Sequence, residues 1–126
     1  MRYFPLFIDT QNLPCLIVGA GEVAARKLEL LLKSEAQVTV VAPEICGTVR
    51  HLASSAQVSL HQRPFENSDL DHVRVVFVAT SDEALNAEIH AEATARGLLV
   101  NVVDNTPLCG FITPSIIDRS PIVIAM

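Results

Sequence analysis

The chain has 126 residues, a length that suits one domain with a sizeable core. Half the residues are hydrophobic, 18% are charged and the formal net charge is −5. That balance fits a sheet buried on both faces and argues against a nucleic-acid partner, which would recruit a basic surface.

No apolar run is long enough to span a bilayer, so no membrane partner is expected. The opening MRYFPLFIDTQNLP lacks the apolar core and small-residue cleavage site of a signal peptide, and a cytoplasmic protein is expected. Cys15, Cys46 and Cys109 are widely spaced with no CxxC, which reads as reduced core thiols. His51, His61, His72 and His90 show no ligand spacing, so no metal site is expected.

In chain order, Tyr3–Ile8 is apolar and extended, with Pro5 keeping it out of a helix or a central strand. A turn at residues 9–12 leads to a first strand, Cys15 to Val18. Gly19-Ala20-Gly21 follows, and then a helix to about Lys33 with Val23, Ala24, Leu28, Leu31 and Leu32 on its apolar face. Gln37–Val41 is the second strand. Ala42-Pro43-Glu44 is expected to open a second helix running to about Ala53, because Pro and an acid suit a first turn.

Val58–His61 is a short third strand, and Ser68–Asp71 is expected to form one helical turn. Val73–Ala79 is the fourth strand. Thr80-Ser81-Asp82 caps a helix of about Asp82–Ala95 that ends at Gly97. Leu98–Val103 is the fifth strand. This alternation predicts an α/β fold, a Rossmann-like doubly wound parallel sheet with a short C-terminal β extension. Gly110–Thr113 and Ile122–Met126 are the expected strands of that extension, with Asp118 and Arg119 between them as a local ion pair or part of an anion site. Residues 1–110 would form the dinucleotide-binding domain and 111–126 the start of a further segment. The chain ends inside an apolar run, so a fragment is expected, or a last strand that pairs elsewhere.

Strand, glycine turn and helix start compose a GxGxxA fingerprint. Gly19 would permit the tight turn. Gly21 would let a diphosphate approach the backbone, and Ala24 would allow close helix–sheet packing. Ligands of such sheets bind at the carboxyl ends of the strands. The exits are Gly19–Val23 (with Glu22), then Ala42, Pro43 and Glu44, then Ala79-Thr80, and finally Asn101, Val102 and Asp104. Glu44 is either the acid that holds a ribose or a first-turn acid of the second helix. No Arg or Lys directly follows the second strand to hold a 2′-phosphate, which favours NAD over NADP. Asp104 is either a base standing over the reactive end of the cofactor or an ordinary turn residue. Cys109 has no histidine near it in sequence and reads as packing.

VGAGEVAARK at Val18–Lys27, ATSD at Ala79–Asp82, NVVD at Asn101–Asp104 and FITPSIIDRSP at Phe111–Pro121 occur together and in order. On these motifs the chain resembles, over essentially its whole length, the N-terminal module of siroheme synthases, the precorrin-2 dehydrogenase and sirohydrochlorin ferrochelatase family. The resemblance implies NAD-dependent oxidation of precorrin-2 to sirohydrochlorin, and insertion of ferrous iron as a substrate of the same module. It carries phosphate-side roles to Gly19, Gly21, Glu22 and Val23, adenosine-side roles to Pro43 and Glu44, and the key catalytic role to Asp104. It implies a homodimer in the full-length protein, with the cleft completed by the partner, and makes residues 111–126 the start of a truncated dimerisation or substrate segment. An acidic chain would need local donors for this polycarboxylate tetrapyrrole, and backbone N–H groups with Arg26, Lys27 or Arg119 are the candidates. Other readings are a non-catalytic NAD-binding module or truncated fragment, and a self-associating domain.

Overall fold

The computed structural model describes residues 2–103, 109–112, 116–119 and 122–125. The elements are β1 (Pro14–Val18), α1 (Glu22–Leu32), β2 (Gln37–Ala42), α2 (Gly47–Leu52) and β3 (Val58–Gln62), then a 3-10 turn (Asn67–Leu70). After it come β4 (Val75–Val78), α3 (Glu83–Ala95), β5 (Leu99–Val102), β6 (Ile116–Arg119) and β7 (Ile122–Ala125).

β1 to β5 form one sheet in the order β3-β2-β1-β4-β5, with every pair parallel. From β1 the chain steps outward to β2 and β3, then returns to the other side of β1 for β4 and β5. Strand order therefore reverses between β1 and β4. The loops leaving those two strands diverge there and open a crevice. β6 and β7 pair antiparallel as a separate two-stranded sheet.

The period-two alternation of the strands divides the core. Cys15, Ile17, Val38, Val40, Val75 and Phe77 face α1 and α2. Leu16, Val18, Val76, Val78, Val100 and Val102 face α3 and the 3-10 turn. α1 contributes Ala24, Ala25 and Leu28 to the first layer, and α3 contributes Ile89 and Ala93 to the second. Each fully buried aliphatic side chain contributes about 1.5–3 kcal/mol relative to exposure. Tertiary packing of Val49, rather than helix propensity, therefore holds the short α2 in place. Burial also raises the Cys15 thiol to about 11, so it stays protonated and inert at neutral pH. Among the described residues, no helix is long and apolar enough to cross a membrane.

Four expectations need correction. Pro43 and Glu44 do not open α2, which starts at Gly47. The Cys46 N–H donates to Ala20 O at 2.9 Å, and Cys46 stays extended, so residues 43–46 are drawn over the glycine loop before the helix begins. Glu44 is thereby excluded as a first-turn acid. Gly110–Ile112 are not a strand. The Gly110 N–H donates to Val100 O at 2.8 Å and the Asn101 side chain donates to Phe111 O at 2.8 Å, which hooks this stretch against β5; Thr113 lies outside the described residues. Asp118 and Arg119 lie within β6 rather than between strands, because β6 pairs antiparallel with β7 along its whole length, with Arg119 opposite Ile122. Val23, expected on the apolar face of α1, is 36% exposed, and Ala25 takes the buried place.

The connection from β3 to β4 is fixed by a bidentate ion pair. Arg63 holds Asp69 through Nη2 to Oδ1 at 2.5 Å and Nη1 to Oδ2 at 2.9 Å. The Glu66 N–H adds a bond to Asp69 Oδ2 at 2.8 Å, closing a capping box at the 3-10 turn. Arg63 above all, helped by that N–H and opposed by burial, lowers the Asp69 pKa. The folded value lies below the unfolded one, ordinarily about 3.9. The pair's stabilisation is therefore fully present above the unfolded value and is lost as pH falls through the depressed folded value. Asp69→Asn is expected to lower Tm by about 3–10 °C at pH 7. Calorimetric scans should show the gap to wild type closing below about pH 4. A gap that stays constant through acid would mean that the carboxylate charge contributes nothing.

Candidate functional site

The exits of β1, β2 and β4 enclose a cleft of about 520 Å³. Small-molecule and cofactor sites typically span about 300–1,000 Å³. Its floor is the turn from Val18 to Glu22. Gly19 has φ +108°, and a Cβ placed there would run into the Ala79 carbonyl oxygen and lie 2.8 Å from its carbon. Only glycine fits where the β1 exit passes the β4 exit. Gly21 differs. Its φ is −91°, and a Cβ there would meet nothing within 4 Å. The space beside Gly21 is open to a ligand.

Gly21 also caps α1 without any side-chain hydrogen bond. The Ala25 N–H is the first to bond back along the helix, to Gly21 O at 2.9 Å. The amides before it point out of the N-terminal end of α1, where the helix dipole adds positive potential. Bare backbone, outward N–H groups and open space over Gly21 suit an anionic diphosphate. The Glu22 carboxylate accepts from the Thr48 hydroxyl at 3.3 Å, which ties it to α2. Val23 borders the same cleft.

Pro43 and Glu44 line the β2 side. The described residues around the cleft include the carboxylates of Glu22, Glu44 and Asp82 but no Lys, Arg or His. On the β4 side lie Thr80 and Asp82, and Asp82 caps α3 by accepting the Leu85 N–H at 3.1 Å. The Thr80 hydroxyl donates to Asn86 Oδ1 and accepts the Asp82 N–H at 3.2 Å. It is thus engaged within the protein.

Asn101 and Val102 are not among the residues lining the cleft. The Asn101 amide is buried and holds Phe111, whose ring packs edge-on to Phe77 with centroids 5.4 Å apart. Val102 is buried beneath α3. Cys109 donates its thiol to Val102 O at 3.2 Å. Asp104 lies outside the described residues. Arg26 is exposed on α1, whereas Arg63 and Arg96 are held by carboxylates. Among the described residues, no group of three or more His, Cys, Asp or Glu is arranged to hold a metal.

Asn86 is a residue that the sequence reading passes over. It sits three before Ile89 and seven before Ala93, on the buried stripe of α3. A polar side chain on that stripe is the signal that could have found it.

A family model described as "Putative NAD(P)-binding" matches residues 6–115. The chain belongs to this NAD(P)-binding family. The chain is also 65% identical over all 126 residues to a siroheme synthase of Pseudoalteromonas atlantica, covering 27% of that protein. It is 47% identical over the same length to siroheme synthase 1 of Serratia proteamaculans, covering 26% of it. The chain thus spans about a quarter of the length of these relatives. Among solved structures it resembles SirC, a precorrin-2 dehydrogenase, with a TM-score of 0.84 and 24% identity over 98% of this chain and 61% of that one. That likeness supports the Rossmann-like fold expected from the alternation of elements.

Proposed function

We propose that the chain is the dinucleotide-binding module of a siroheme-forming enzyme and oxidises precorrin-2 to sirohydrochlorin with NAD. The observation that carries this reading is the open backbone cradle at Gly21, at the switch point of a sheet in a chain that is 65% identical over all its 126 residues to a stretch of a siroheme synthase. The amides of Gly21, Glu22 and Val23 would hold the diphosphate, and Gly19 would keep that turn in place. Pro43 and Glu44 would border the adenosine ribose, with Thr80 shaping the opposite wall. Among the described residues the lining is acidic and holds no Lys, Arg or His, which favours NAD over NADP, because a 2′-phosphate would find no side-chain counter-charge among them.

NAD, when bound, supplies an acceptor for hydride. Oxidation removes one hydride and one proton from the tetrapyrrole, and the proton must go to a base. We assign that base to Asp104, at the exit of the fifth strand in NVVD. The same carboxylate could take pyrrole protons during insertion of ferrous iron, the second substrate. In the longer protein a homodimer partner would complete the tetrapyrrole side, and exposed Arg26 would be a local donor to its carboxylates.

Asp104→Asn is expected to lower the rate of NADH formation from precorrin-2 by about 10²–10⁴-fold while leaving NAD+ affinity within about twofold. Absorbance of NADH, followed with NAD+ and with NADP+, reads this directly. Unchanged turnover in the variant would remove Asp104 from the reaction. NAD+ binding without any oxidation by the unsubstituted protein would leave a binding module in place of an enzyme.

A further inference from the structure

Two polar residues are buried among the described ones, Asn86 and Asn101. Asn101 fastens the Gly110–Ile112 hook. Asn86 does something different, because both ends of its amide serve a single residue at the lip of the cleft. Its Oδ1 accepts the Thr80 hydroxyl, and its Nδ2 donates to Thr80 O at 3.0 Å. Asn86 is 8% exposed and sits on the core stripe of α3, so its amide is removed from water and depends on these bonds.

The consequence lies across the cleft. Ala79, next to Thr80, is the residue whose carbonyl would collide with any Cβ at Gly19. Ala79 is tied to β1 through its N–H to Val18 O at 2.8 Å, and the turn continues through the Asp82 N–H to Thr80 Oγ1 at 3.2 Å. The wall formed by Ala79–Asp82 is therefore anchored to β1 on one side and to Asn86 on the other. The Ala79 N–H bond holds that wall to β1 at its near end, and the two Asn86 bonds hold it at Thr80.

We propose that Asn86 is a positioning residue for the dinucleotide: by gripping the Thr80 hydroxyl and carbonyl it fixes the width of the cleft between the β1 and β4 exits. This rests on the reading of the cleft as the dinucleotide site. It acts through Thr80 and needs no contact with the ligand. A leucine at position 86 would match the size of the side chain and the apolar surroundings, yet it would release the turn.

The test uses the full chain and compares Asn86→Leu, Thr80→Val and their combination with Ile89→Val, a core substitution one turn along α3. Titration calorimetry with NAD+ gives affinity, thermal scans give Tm, and amide exchange without ligand gives the local opening of Ala79 and Asp82. Asn86→Leu and Thr80→Val are each expected to weaken NAD+ by about tenfold or more and to speed exchange at Ala79 and Asp82 about tenfold. The double variant should be no worse than the weaker single one, because the two side chains act as one unit. Ile89→Val should lower Tm with affinity unchanged, which is how a merely structural role would behave. Wild-type affinity in Asn86→Leu, with or without faster exchange, would overturn the proposal. If the unsubstituted chain binds no NAD+, the functional reading fails on its own. The exchange rates then decide whether Asn86 holds the turn, and unchanged rates would overturn that as well.

Discussion

Gly19→Ala is expected to destabilise the domain by about 2–5 kcal/mol. Two costs add. A positive φ costs an alanine about 1–2 kcal/mol, and φ at this residue is +108°. The new methyl would also overlap the Ala79 carbonyl, which is backbone held by the Ala79 N–H bond to Val18 O and cannot rotate aside. Overpacking of this kind costs about 1–3 kcal/mol. Urea unfolding of the two proteins measures the difference. A loss under about 0.5 kcal/mol would mean that the β1 and β4 exits can separate without penalty. NAD+ affinity should fall in this variant too, but as a by-product of a displaced wall.

Gly21→Val should do the reverse. The backbone at Gly21 is extended, and a Cβ there meets nothing. Losing glycine at an N-cap costs at most about 1 kcal/mol, so Tm should change by only a few degrees. The isopropyl group would stand where the diphosphate must approach the outward N–H groups of α1. We expect NAD+ binding to weaken about 100-fold, on the order of 2.7 kcal/mol. Two glycines two residues apart thus divide the labour: Gly19 serves the fold and Gly21 serves the ligand. If Gly21→Val bound NAD+ as well as wild type, the diphosphate would have to lie elsewhere.

Much of this arrangement was legible in the sequence because it is local. An apolar run, a GxG turn and a helical stripe mark β1, the cleft floor and α1 within the single stretch Pro14–Leu32. The Thr80-Ser81-Asp82 cluster marked the start of α3 for the same reason: a cap is made by the residues next to the helix. What escaped depends on partners far along the chain. Pro43-Glu44 has the chemistry of a helix start, but the Cys46 N–H is claimed by Ala20, and the helix waits until Gly47. Gly110–Ile112 has the composition of a strand, yet Asn101 and Val100 hook it against β5. Asn101 reads as a ligand residue at a strand exit, and nothing near it in sequence tells that its amide donates to Phe111 O. Asn86 carries no signal in the sequence beyond a polar side chain on a helical stripe, and its burial against Thr80 reveals its place at the cleft wall. Composition carries no information about which distant carbonyl an asparagine will find.

The most direct test of the account is a titration of the ¹⁵N-labelled protein with NAD+, following every backbone amide. Saturable shifts concentrated at Gly19–Ala24 and at Ala79–Ser81, and lost in Gly21→Val, are the predicted result. No saturable shift, or shifts gathered around the polar hollow of about 300 Å³ at the opposite rim of the sheet, between Asn12, Glu35 and Gln57, would contradict it.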